Sequence, residues 1–238
     1  MELNDIINDN LHGSEYLAEK FIDILISENK DFDFNTLLNK KGMMGEILNI
    51  LYIYKYYGKD YLISLKDRLR ISKNLILNYS DNYLKDSSVG VISNSSTILY
   101  VIKNSKVKEV NVLESLPGGE GKIFYEEIRN IMDSNFYRDD DMDDLIKNSD
   151  ILISGSDIFN RKYFVNKIKT GKLFLNGKSH DKKNMVITSS LKYYPWDIKI
   201  NDIFEKIPWN YVDFVITDRG TFSPVSNVFL CKFFWPLV

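Results

Sequence analysis

Two short polar loops carry the side chains of this chain best suited to chemistry. The first, Ser93-Asn94-Ser95-Ser96-Thr97, follows the apolar run Val89-Gly90-Val91-Ile92. The second, Ser154-Gly155-Ser156-Asp157, follows Asp150-Ile151-Leu152-Ile153. Each apolar run reads as a buried parallel strand, and in an open α/β sheet ligands sit beyond the carboxyl ends of such strands. Hydroxyls, an amide and a carboxylate gathered there would bind a small polar molecule, with Asp157 as proton donor and acceptor if chemistry occurs and as an acceptor for hydroxyls if it does not. A second reading stands beside this one. Ser, Asn and Thr ahead of an apolar segment also cap helices, so the first loop can serve only to satisfy the orphan N–H groups of a helix over 97–103.

For the two loops to meet, their strands must lie in one sheet. Short apolar runs at 89–92, 110–113, 134–137, 151–153, 185–188 and 214–217 alternate with helical stretches. That alternation predicts an α/β fold, a Rossmann-like parallel sheet with right-handed crossovers. The first eighty-odd residues read differently. Tyr16, Leu17, Phe21, Ile24 and Leu25 recur at helical spacing, and the pattern returns over 37–57 (Leu48, Leu51, Tyr52, Lys55) and 66–83 (Leu69, Ser72, Lys73, Ile76). The periodicity changes at Ser87-Ser88, which predicts a helical N-terminal region over 1–85 and a Rossmann-like region over 86–238.

Composition narrows the classes. A 238-residue chain is long enough to bury a substantial core, and a net charge of −2 with no basic stripe gives no pull toward nucleic acid or acidic membranes. One cysteine, Cys231, and two histidines, His12 and His180, predict neither a disulfide nor a metal centre, and no cofactor is called for. The N-terminus is acidic and polar where a signal peptide would be basic and then apolar, and no run of eighteen apolar residues occurs, so a cytoplasmic, membrane-free protein is expected. Asp139-Asp140-Asp141-Met142-Asp143-Asp144 reads as the solvated first turn of a helix ending at Lys147 rather than a cation site. The aromatic residues are not interleaved with Arg or Lys as a single-strand binder requires.

Taken in order, the motifs resemble the initiation factor 2B family. That family holds the alpha, beta and delta regulatory subunits of the eukaryotic factor, their archaeal relatives, and the ribose-1,5-bisphosphate and methylthioribose-1-phosphate isomerases. The resemblance rests on the segment from Val91 through the Ser93 loop, on Val110-Asn111-Val112-Leu113-Glu114-Ser115-Leu116-Pro117-Gly118-Gly119-Glu120-Gly121, and on the strand running from Asp150 to Asp157. It continues in Val165-Asn166-Lys167-Ile168, similar to the family's Asn-Lys-Ile-Gly element, and in Tyr211-Val212-Asp213-Phe214-Val215-Ile216-Thr217-Asp218-Arg219-Gly220. The family's isomerases move protons between C1 and C2 of an open-chain sugar phosphate with a thiol and a carboxylate. The resemblance puts the carboxylate at Asp157 and the thiol at Ser93, where a hydroxyl without an accessible anion stands instead.

The phosphate contacts implied by the resemblance are thinned as well. The family's Arg-Gly-Ala motif falls on His12-Gly13-Ser14, a second arginine falls loosely on Lys41, and a third is replaced by Leu116. Each lost guanidinium weakens phosphate binding by about 1.5–3 kcal/mol per charged hydrogen bond. Asn166 and Lys167 remain to fix a phosphate or hydroxyl group; the plainer reading is that Asn166 closes a turn and Lys167 is solvated. The expected pocket is therefore lined by Ser93, Asn94, Ser95, Ser96, Asp157, Asn166 and Lys167, with Lys41 and His12 approaching from the helical region. The function implied is that of a non-catalytic regulatory protein binding a sugar phosphate or nucleotide, a protein partner in translation, or both. The alternatives are an aldose–ketose isomerase acting on a ribose phosphate through Asp157 and Ser93, and a scaffold with a vestigial pocket. The apolar terminus over 228–238, together with the family's pairing through its α/β region, predicts a homodimer.

Overall fold

Val89 and Val91 sit in a four-residue run buried on both faces, as a central parallel strand requires. The structure, a computed structural model, describes residues 2–9, 13–27, 34–41 and 43–224. Its helices are α1 (Leu3–Asn8), α2 (Ser14–Ser27), α3 (Phe34–Lys41), α4 (Gly45–Leu84), α5 (Ser96–Asn104), α6 (Glu120–Ile128), α7 (Met142–Lys147) and α8 (Thr170–Ser179). Its strands are β1 (Ser88–Val91), β2 (Glu109–Leu113), β3 (Ser134–Tyr137), β4 (Ile151–Ser154), β5 (Ile158–Phe159), β6 (Tyr163–Lys167), β7 (Lys183–Ile187), β8 (Phe204–Pro208), β9 (Phe214–Thr217) and β10 (Gly220–Phe222).

Among the described residues, seven strands form one sheet in the order β10-β9-β7-β4-β1-β2-β3. All neighbours pair in parallel except the β9–β10 edge hairpin. Val89 lies between Val110 and Ile151, and Val91 between Val112 and Ile153, so the two expected strand runs are direct neighbours. The chain runs outward from β1 through β2 to β3, then returns to β4 and runs outward the other way. This reversal leaves a crevice beyond the carboxyl ends of β1 and β4.

The second sheet, β5-β6-β8, is antiparallel and has no counterpart in the expected strands. It places Asn166 and Lys167 inside β6, both buried, so Asn166 does not close a turn and Lys167 is not solvated.

The helical region also differs from the periodicity reading. The stretch 37–57 is split, since α3 ends at Lys41 and α4 begins at Gly45; α4 itself is two helical runs that meet at a kink at Gly58, where φ is 76°, so a helix does end at 57 as expected, while the run after it begins well before 66. That conformation favours glycine, and no other residue between 58 and 66 breaks the helix. Leu62, Leu65 and Leu69 of α4 pack with Leu17 and Phe21 of α2, while Ile76 and Leu84 pack with Val89 and Val110 of the sheet. No helix among the described residues is long and apolar enough to cross a membrane. His12 and the apolar segment 228–238 lie outside the described residues.

Candidate functional site

The crevice holds a cavity of about 260 Å³. Ser93, Asn94, Ser95 and Ser96 form one wall and Gly155, Ser156 and Asp157 another, with Asn166 and Lys167 arriving from β6. Gly13, Ser14 and Met44 close it from the helical region, and Ile92, Ile123 and Phe204 supply apolar surface. The two loops touch: a Cβ on Gly155 would lie 3.0 Å from Ser95 Oγ.

Ser93 adopts φ 67°, a left-handed conformation uncommon for a residue with a side chain. A chain of hydrogen bonds holds it there. The Ser93 N–H donates to Ser115 Oγ at 2.8 Å, and Ser115 Oγ–H donates to the Leu113 carbonyl at 2.9 Å. The Ser115 and Leu116 N–H groups donate to the two carboxylate oxygens of Asp139 at 2.9 and 2.8 Å, and Lys169 donates to the same carboxylate at 2.5 Å. Burial pushes the Asp139 carboxyl up, but Lys169 and the two backbone N–H groups prevail and hold it below the usual carboxylate range. Asp139 is thus no solvated helix start, although Asp140, Asp141, Asp143 and Asp144 are exposed. The helix-cap reading of the first loop holds for one residue, since Ser95 Oγ accepts from Ile98 N at 3.4 Å; Ser96 Oγ instead donates to Glu15 at 3.4 Å.

Asp157 is fixed through its backbone. Its N–H donates to the Val165 carbonyl of β6 at 2.9 Å, and its carbonyl accepts the Gly45 N–H that opens α4 at 2.9 Å. Only glycine fits at 45, because a Cβ there would lie 2.6 Å from the Lys192 carbonyl. Burial raises the Asp157 carboxyl above its ordinary value, with Glu120 reinforcing and Lys192 and Lys167 opposing. Such a carboxyl holds its proton to higher pH than a free aspartate does.

Lys192 and Lys167 are the cations of the cavity among the described residues, both buried, with exposures of 6 % and 4 %. Lys192 comes from a 3-10 turn, Ser190–Lys192, after β7, and its charge acts on both Asp157 and Glu15. Lys167 pairs with Glu120 Oε1 at 2.5 Å. The Asn166 amide N–H groups donate to Ser154 Oγ at 2.7 Å and Thr170 Oγ1 at 3.1 Å. Behind the wall, Glu15 pairs with Lys73 at 3.1 Å, and burial with the nearby Glu46 raises its carboxyl.

Of the expected residues, Ser93, Asn94, Ser95, Ser96, Asp157, Asn166 and Lys167 line this one cavity. Lys41 does not; its ammonium donates to the Asp9 carbonyl. Lys192 and Glu120 escaped the sequence reading. Lys192 sits in no motif, and the only signal for Glu120 is a charge in the glycine-rich turn Gly118-Gly119-Glu120-Gly121. A second cavity, about 230 Å³ between α4 and the loops after β7 and β9, has a mixed lining of leucines, serines and charged side chains, and Asp218 there accepts from Ser190 N and Oγ at 2.6 and 2.7 Å. Among the described residues no three His, Cys, Asp or Glu side chains converge as a metal site.

No family model matches the sequence, and no curated protein matches it closely enough to count. Solved structures do. Translation initiation factor eIF-2B from Pyrococcus horikoshii OT3 superposes with a TM-score of 0.82 at 20 % identity, over 94 % of this chain and 96 % of that one. The eIF2B-beta2-delta2 tetramer of C. thermophilum gives 0.67 at 10 % identity over 93 % and 88 %. 5-Methylthioribose 1-phosphate isomerase from P. horikoshii OT3 gives 0.64 at 15 % identity over 93 % and 83 %. The resemblance read from the motifs is therefore matched in three dimensions: this chain has the fold shared by the eIF2B subunits and methylthioribose-1-phosphate isomerase.

Proposed function

We propose that this chain is a non-catalytic, ligand-sensing relative of the initiation factor 2B regulatory subunits. It binds a small phosphorylated ligand, a sugar phosphate or a nucleotide, in the cavity beyond β1 and β4, and assembles as a homodimer or with a protein partner in the cytoplasm. Two buried ammonium groups facing a wall of hydroxyls and amides support phosphate and sugar recognition. The observation that carries the non-catalytic reading is Ser93. It stands at the strand end where the related isomerases use a thiol, and among the described residues no basic side chain is hydrogen-bonded to its hydroxyl. A serine without a base supplies no anion near neutral pH.

The raised Asp157 carboxyl favours a second reading, an aldose–ketose isomerase acting on a ribose phosphate with Asp157 moving the proton. A thermal-shift panel of ribose phosphates, methylthioribose 1-phosphate, AMP and GDP tests ligand binding. At a hundred times its dissociation constant a ligand stabilises by about 2.7 kcal/mol, roughly 5–10 °C for a chain of this size. No shift with any of them removes the ligand-sensing reading. Turnover of a ribose phosphate by the unaltered protein, abolished in Asp157→Asn, replaces the non-catalytic reading with the isomerase. Ser93→Cys separates the two further, since only an intact isomerase pocket gains rate from the restored thiol.

A further inference from the structure

Among the described residues, four ionisable side chains line the cavity: Lys167, Lys192, Asp157 and Glu120. The arrangement is close to self-neutralised, and Glu120 is what makes it so for Lys167. Glu120 opens α6 directly after Gly118 and Gly119, whose φ values of 102° and 67° turn the chain sharply. The turn packs down on the carboxylate, for a Cβ on Gly118 would lie 2.8 Å from Glu120 Oε1. Held there, Oε1 meets the buried Lys167 ammonium at 2.5 Å, while Oε2 is buried with no hydrogen-bond partner. An ion pair that only tied α6 to β6 would gain nothing from an unsatisfied charged oxygen at a cavity wall, where an orphan acceptor is destabilising.

We propose that Glu120 is the specificity-determining residue of this cavity. Its carboxylate shares Lys167 with the ligand, so the site accepts one phosphoryl group on a hydroxylated carrier and rejects ligands bearing two or more. The inference rests on the reading that the cavity binds a phosphorylated ligand. The first phosphoryl group has Lys192 and a half-share of Lys167 to neutralise it. A second would add negative charge against Glu120, whose side chain is one third exposed, and like charges a few ångströms apart repel. Asp157 contributes the same repulsion whenever it is ionised, and removal of Glu120 makes the site more positive by one unit whatever proton Asp157 carries.

Ribose 5-phosphate and ribose 1,5-bisphosphate differ by one phosphoryl group and serve as probes for calorimetric titration of the full chain. The unaltered protein is expected to bind the monophosphate more tightly. Glu120→Gln, which keeps an acceptor for Lys167 but no charge, should raise bisphosphate affinity relative to monophosphate by about tenfold or more, the scale of one removed charge at this range. Glu120→Asp should preserve the original preference. Glu120→Ala removes the same charge without an amide under Gly118 and gives the same comparison if the glutamine variant does not fold. An unchanged affinity ratio in the neutral variants overturns this inference and leaves phosphate binding intact. Failure of both probes to bind any of the proteins removes the phosphorylated-ligand reading and this inference with it.

Discussion

Ser115 Oγ accepts the Ser93 N–H at 2.8 Å and so couples the carboxyl end of β2 to that of β1. The bond is part-buried, and without it the left-handed Ser93 loses the donor contact that fixes its backbone against the neighbouring strand. Ser115→Ala leaves a part-buried N–H without its acceptor, a cost toward the low end of about 1–3 kcal/mol. The expected result is a melting temperature lower by roughly 2–10 °C, with faster amide exchange confined to the Ser93 loop. An unaltered urea midpoint would show that the coupling contributes nothing.

Asp157 makes its mark on pH dependence. Its folded value is raised, so below the unfolded value of about 3.9 both states hold the proton and the group is silent. As pH rises past that value the unfolded chain ionises first, and the folded state loses stability until its own value is passed. Asp157→Asn removes this loss. Urea midpoints from pH 3 to 8 should find the variant near parity with the unaltered protein at the acid end and more stable than it toward neutral pH.

Asp139 works in the opposite sense. Burial notwithstanding, Lys169 and the N–H groups of Ser115 and Leu116 depress its folded value, so its contribution is complete above the unfolded value and disappears as pH falls through the folded one. Asp139→Asn is expected to destabilise at neutral pH, with the difference from the unaltered protein shrinking below about pH 4. A difference that stays constant with pH would assign the effect to lost packing.

The strands of the main sheet are legible because Val and Ile cluster in short runs between helical stretches, and the first-loop hydroxyls and Asp157 follow from those strand ends. The second sheet is not legible: β5 has two residues, β8 ends on Pro208, and β6 mixes Tyr163 and Phe164 with Asn166 and Lys167. Without it nothing in the local pattern buries Lys167. Lys192 escapes for a related reason, since Ser189-Ser190-Leu191-Lys192 has no periodicity and only the fold of β7 against β4 carries it to Asp157.

Lys192 gives the sharpest test of anion binding. Lys192→Met keeps the length of the side chain and removes the charge, so ligand-induced stabilisation by a sugar phosphate should fall with an affinity loss of about ten- to a hundredfold. The ligand-free protein should lose little, because a buried ammonium is itself expensive to desolvate. Equal ligand shifts in variant and unaltered protein would place the phosphate elsewhere.

The helix α4 lends Leu62, Leu65 and Leu69 to the apolar cluster of the helical region and Ile76 and Leu84 to the one under β1. The two clusters therefore share a backbone hydrogen-bond ladder, and neither can melt without stripping side chains from the other. The thermodynamic consequence is cooperativity: heating should give a single endotherm whose calorimetric and van't Hoff enthalpies agree, rather than one transition for the helices and another for the sheet.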